Sequence, residues 1–181
     1  LRDIQESIIH VTKNSAKDRI LKENFKKSEA TNDWLGSGVY FFTEGIGCPI
    51  EHARNWCKYK KGFREHEISI LKVNLHIDDE HLLDVTDYNG IEEFNSLRSE
   101  LLQKHNSEFP SDRIFSEDNK RIWDMIADLL DLHAVLNHLY ICKIASNAYE
   151  RNIELKSNVP NSTVLCVKKD GIINLQDISV L

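Results

Sequence analysis

The chain has 181 residues, 41% of them hydrophobic and 29% charged, the balance of a globular protein with one sizeable core. No apolar run approaches the roughly 20 residues needed to cross a bilayer, which excludes a membrane-spanning helix. Net charge is −6, which excludes a broad nucleic-acid-binding face, but it is unevenly spread: residues 1–72 carry 13 basic and 10 acidic side chains, and the remainder carries a net −9. The basic N-terminal part favours an anion such as a pyrophosphate, or simply reads as a solvated face. Cys48, Cys57, Cys142 and Cys166 are scattered and form no C-x-x-C pair, which points to a reducing, cytoplasmic setting.

In chain order, Ser7 to Thr12 reads as a short strand. Asn14 or Ser15 can cap a helix running to about Phe25, with Ala16, Ile20 and Leu21 inward. Ser28 to Asp33 is a polar loop. Gly36-Ser37-Gly38 then feeds the strand Val39–Phe42, where Tyr40 and Phe42 share one face and Phe41 takes the other. Gly38 allows backbone or ligand to approach closely. Gly45, Gly47 and Pro49 break the chain, and a short helix from about Ile50 to Lys60 carries Ala53, Trp56 and Cys57 along one side.

Glu67 to Leu75 reads as a strand, and Leu82 to Val85 extends the sheet. A helical middle follows. Phe94, Leu97 and Leu101 have helical spacing, Pro110 ends that unit, and Ser116 starts a second helix. Ile122, Ile126, Leu129, His133 and Leu136 form one stripe of that long helix. Leu139 to Ile144, Ile153 to Leu155, Thr163 to Val167 and Ile172 to Leu175 are strand candidates, separated by a loop at Asn158–Asn161 and a turn at Lys169–Gly171. Helices sit between strand groups without regular alternation, which gives an α+β class and a single domain over residues 1–181.

The glycine cluster lacks the third glycine and following helix of a dinucleotide fingerprint. No histidine or cysteine spacing matches a structural zinc site, so no metal is expected, and no G-x-S-x-G elbow is present. The informative pattern is spread over the first 60 residues. It runs His10-Val11-Thr12, a helix, then Trp34-Leu35-Gly36-Ser37-Gly38-Val39-Tyr40-Phe41-Phe42, then Asn55-Trp56-Cys57. Over residues 8–57 this resembles the ADP-ribosyltransferases of the diphtheria-toxin and poly(ADP-ribose) polymerase type, in the variant found in bacteria and phages.

The resemblance implies two small twisted sheets around a cleft that holds NAD as substrate, with a helical insertion at about 90–138. It implies that His10 hydrogen-bonds the nicotinamide-side ribose, that the Val11 backbone holds the carboxamide, and that Thr12 supports the adenosine side. Tyr40 and Trp56 would stack on the nicotinamide, with Gly38 in the binding loop. The third signature residue, usually Glu, falls near Ser162–Val164. No carboxylate stands there. Thr163 occupies the position, and Glu154 is the acid nearby in sequence. The implied reaction transfers ADP-ribose from NAD to a protein or nucleic-acid acceptor and releases nicotinamide. The same resemblance suggests a toxin or defence effector, with an antitoxin as a further partner. The alternatives are a weakly active or inactive module that binds NAD or ADP-ribose, an NAD glycohydrolase and, ranked below them, a tRNA 2′-phosphotransferase.

Overall fold

Two-sided burial dictates the architecture. Ile8 and Ile9 are adjacent on one strand and both are buried, so their sheet must be covered on both faces. In the computed structural model, described for residues 3–28, 30, 33–108 and 119–181, seven strands form one mixed sheet. They are β1 (Asp3–Lys13), β2 (Val39–Phe42), β3 (Ile68–Asp78), β4 (Leu82–Asp84), β5 (Ala134–Leu139), β6 (Ser162–Val167) and β7 (Ile178–Val180). Their order is β4-β5-β6-β2-β1-β3-β7. Only the β4–β5 pair is parallel.

Helices α1 (Asn14–Glu23), α2 (Pro49–Asn55), α3 (Tyr88–Glu108), α4 (Asn119–Leu129) and α5 (Ala148–Asn152) complete the described chain. One face of the sheet packs Ile8, Phe41, Leu71 and Leu165 with Ile20 of α1 and with Ile173. The other face packs Ile9, Phe42, Ile70 and Val164 with Ala53 of α2 and with Ile122, Trp123 and Ile126 of α4. Phe94 of α3 stacks on Trp123 at 4.0 Å between ring centroids. The α+β class stands as expected. Among the described residues, no helix is long and apolar enough to cross a membrane.

The two expected sheets are one. β1 and β3 pair along eleven residues, but β1 meets β2 at a single register pair, Ile9↔Phe42. The sheet is continuous, with a seam where β1 and β2 share that single pair. His10 and Tyr40 lie on the two strands that flank this seam.

Several other expectations are corrected. The long helix ends at Leu129, so the helical insertion does not run to 138. Asp131 turns left-handed at φ 48°, and Ala134–Leu139 becomes β5, paired with β6 over six residues. The short apolar run 132–136 fits either a helix stripe or a doubly buried strand, and sheet pairing decides. Beyond Leu139 the strand stops, and Cys142–Ile144 is a 3-10 turn. Ile153–Leu155 follows α5 as a turn with Glu154 at φ 50°, and Ile172–Leu175 precedes rather than forms the last strand. The second helix of residues 50–60 changes pitch, from α2 to a single π-helical turn, Trp56–Lys60. Pro110 and Ser116 lie outside the described residues.

Ile126 is fully buried between α4 and the sheet. Ile126→Ala is expected to lower stability by about 2–4 kcal/mol through lost burial and the cavity left behind, as read by the denaturant midpoint of unfolding.

Candidate functional site

The loop before β2 is held from α4. Asp124 Oδ1 accepts the Ser37 backbone N–H at 2.6 Å, and its Oδ2 accepts the Ser37 hydroxyl at 3.0 Å. Lys168, directly after β6 and 8% exposed, donates to Asp124 at 3.2 Å and to the Leu35 carbonyl. Lys120 adds a longer ion pair to the same carboxylate, at 3.8 Å. The glycines make this geometry attainable. Gly36 sits at φ 82°, and a Cβ there would strike Asp124 and Lys168. A Cβ at Gly38 would strike Cys166 Sγ and the Val167 carbonyl, so Gly38 serves close backbone approach.

This loop in turn fixes Tyr40. The Leu35 N–H donates to the Tyr40 hydroxyl at 2.9 Å, and that hydroxyl donates to the Gly36 carbonyl at 2.7 Å. Burial pushes the phenol well above its ordinary range, so Tyr40 stays a neutral donor. Trp34 meets Tyr40 edge-on at 6.0 Å and Trp56 edge-on at 5.1 Å. Trp34 thus stands beside both expected stacking residues. Trp34 is not among the expected site residues; its place beside Tyr40, six positions before it on the loop into β2, is the available signal.

His10 bridges the seam. Its Nδ1 lies 2.9 Å from the Tyr40 carbonyl, which can only accept, so Nδ1 carries the hydrogen. The ring meets Phe25 and Phe41 edge-on at 5.1 and 5.6 Å. Burial lowers the histidine pKa, against the raising effect of the Tyr40 carbonyl. The neutral form therefore prevails, with Nε2 as a bare acceptor.

A cavity of about 740 Å³ opens along the seam, within the size range of small-ligand sites. His10, Val11, Thr12, Gly38, Tyr40 and Trp56 all line it. So does Trp34. Five lysines reach it, Lys13, Lys26, Lys60, Lys61 and Lys143, against two carboxylates, Asp33 and Glu154. The surplus of positive charge suits an anionic ligand. Two of the lysines come from or directly follow the π-helical turn, a local irregularity frequent at functional sites.

Thr163 stands apart from these residues. It is 2% exposed and outside the cavity lining, and its hydroxyl accepts the Ile46 N–H at 2.8 Å and lies 3.0 Å from His138 Nδ1. Glu154 is in the lining instead. Lys143 pairs with it at 2.7 Å and holds its carboxyl below the usual range. The register of a strand hid this placement, because Glu154 reaches the cavity from a left-handed turn.

No family profile, curated protein sequence or solved structure matches this chain.

Asp124→Ala leaves the buried Lys168 ammonium without its carboxylate and the loop without its anchor. It is expected to cost about 3 kcal/mol by chemical denaturation. The lowered pKa of His10 carries a sign. Above the ordinary value of 6.5 both folded and unfolded chains hold this ring neutral, and its contribution is complete. As pH falls through 6.5, the unfolded chain takes a proton that the folded site resists, and stability is lost. His10→Gln is expected to shrink that acid-side loss, measured as unfolding midpoint against pH for both proteins.

Proposed function

We propose that the seam cavity binds NAD and that the protein transfers its ADP-ribose to a macromolecular acceptor, with release of nicotinamide. The observation that carries this reading is the convergence of His10, Tyr40 and Trp56 on one cavity with a lysine-rich lining. These three residues come from separate stretches of the sequence and line the same cavity. The pyridinium of NAD is flat and cationic, and aromatic faces favour it. The lysines complement the pyrophosphate. His10 Nε2 is an acceptor for a ribose hydroxyl. Thr12 and the Val11 backbone, further along the same strand, suit the adenosine side and the carboxamide respectively.

The bond that breaks joins ribose C1′ to the ring nitrogen. Its electron pair goes to that nitrogen, and the cation becomes neutral nicotinamide. A cationic sugar remains and is captured by an acceptor nucleophile, which then loses a proton. Of the two carboxylates in the lining, Asp33 accepts the Ser28 hydroxyl, and Glu154 is the one assigned to stabilise that sugar cation. A non-enzymatic NAD-binding module is the second reading, favoured by one observation: Thr163, the residue at the expected acid position, has its hydroxyl engaged by Ile46 and His138.

Labelled NAD incubated with the protein and cell lysate separates these readings. Transfer predicts labelled macromolecule and free nicotinamide. Free ADP-ribose without labelled acceptor means hydrolysis, and saturable binding without turnover means the module. Tyr40→Ala is expected to abolish turnover. Glu154→Gln is expected to slow it about 100-fold or more, while NAD affinity by calorimetry changes only a few-fold.

A further inference from the structure

A second cluster lies outside the cavity, where β4 and β5 begin. Their parallel register pairs Leu82 with Ala134, which sets the preceding residues, His81 and His133, side by side. The His133 N–H donates to the His81 carbonyl at 2.8 Å, so the pairing continues through them. The two imidazoles stack at 4.0 Å between centroids and 12° between planes. One ligating atom from each of His81, His133 and Asp131 lies within 4.8 Å of the others.

We propose that His81, His133 and Asp131 form a binding site for zinc, or for another divalent ion that favours imidazole. Two details of the donors carry this. His133 Nε2 is buried and has no hydrogen-bond partner among the described residues, an arrangement with a cost unless some group meets that nitrogen. His81 Nδ1 lies 3.0 Å from the Asp131 carbonyl and so donates to it, which leaves Nε2 bare. Ligating histidines commonly hold their other ring N–H in this way, against a backbone carbonyl or carboxylate. Two nitrogens and a carboxylate oxygen with an open fourth position suit zinc. Glu80, 3.8 Å from His81 Nε2, offers a fourth oxygen.

Binding requires local movement. Zinc–nitrogen bonds of roughly 2.0–2.1 Å set tetrahedral ligand atoms about 3.4 Å apart, so the three must draw together and the stacked rings must turn. Lys169 holds the Asp131 carboxylate at 3.0 and 3.1 Å and must release it. Both side chains are well exposed, at 44% and 69%, and their exchange for a metal is local. The bound ion would tie the start of β4 to that of β5.

The test titrates the chelator-treated 181-residue chain with zinc chloride by calorimetry, and with cobalt(II) by visible absorption. The expected result is one equivalent bound, with no thiolate-to-cobalt charge-transfer band, and an unfolding temperature that rises with zinc concentration. His81→Ala and Asp131→Asn, each checked for native circular dichroism, are expected to weaken binding at least 10-fold. His81 directly precedes the edge strand β4 and Asp131 is an exposed residue of the turn before β5, so the pair keeps the test decisive where His133→Ala fails to fold. No binding by the wild type, a thiolate band, or unchanged affinity in both variants would overturn the proposal. NAD affinity is expected to be the same with and without zinc.

Discussion

A carboxylate on one helix governs the geometry of a loop that belongs to another part of the chain. Asp124 of α4 takes the Ser37 amide and hydroxyl, and Lys168 closes the arrangement from the end of β6. Through Leu35 and Gly36 this fixes the Tyr40 hydroxyl. The loop therefore does not float above the cavity. Its shape is set by three segments, from residues 34–38, 120–124 and 168, that come together only in the folded protein. The helical middle of the sequence, which looks like a covering element, acts as a brace for the aromatic wall.

The seam between β1 and β2 supplies the other half of the design. A fully zipped sheet would have no hollow there. One register pair keeps the sheet continuous, and the His10 ring reaches across to the Tyr40 carbonyl beside it. A buried backbone acceptor is satisfied, and the ring is oriented by the same contact. Structure and candidate chemistry draw on one hydrogen bond. That coupling explains how a neutral imidazole can be presented at a seam inside a hydrophobic sheet.

Much of this was legible in the residues. The Gly36–Phe42 stretch announced a tight loop and a buried strand, and the alternation of Tyr40, Phe41 and Phe42 assigned their faces correctly. The resemblance carried by His10, Tyr40 and Trp56 implied a shared cleft, and the three residues line one cavity. What stayed hidden was non-local. Nothing in the spacing of Asp124 or Lys168 ties them to Ser37. Leu132–Leu136 carries a stripe that two periods fit, and only the pairing of β5 with β6 decides between them. Glu154 reads as strand because Ile153 and Leu155 flank it, yet both are exposed and the turn between them aims the acid elsewhere. His81 and His133 are 52 positions apart, and only the parallel register makes them neighbours.

The most direct measurement is a titration of the wild-type protein with NAD, followed by tryptophan fluorescence. Trp34 and Trp56 line the cavity, and Trp123 lies in the core against Phe94. A nicotinamide seated among these rings predicts a saturable change that free nicotinamide competes away and that a Trp34→Phe, Trp56→Phe double variant loses. A flat response, or a saturable one that persists undiminished in the double variant, would contradict the assignment of the seam cavity as the NAD site.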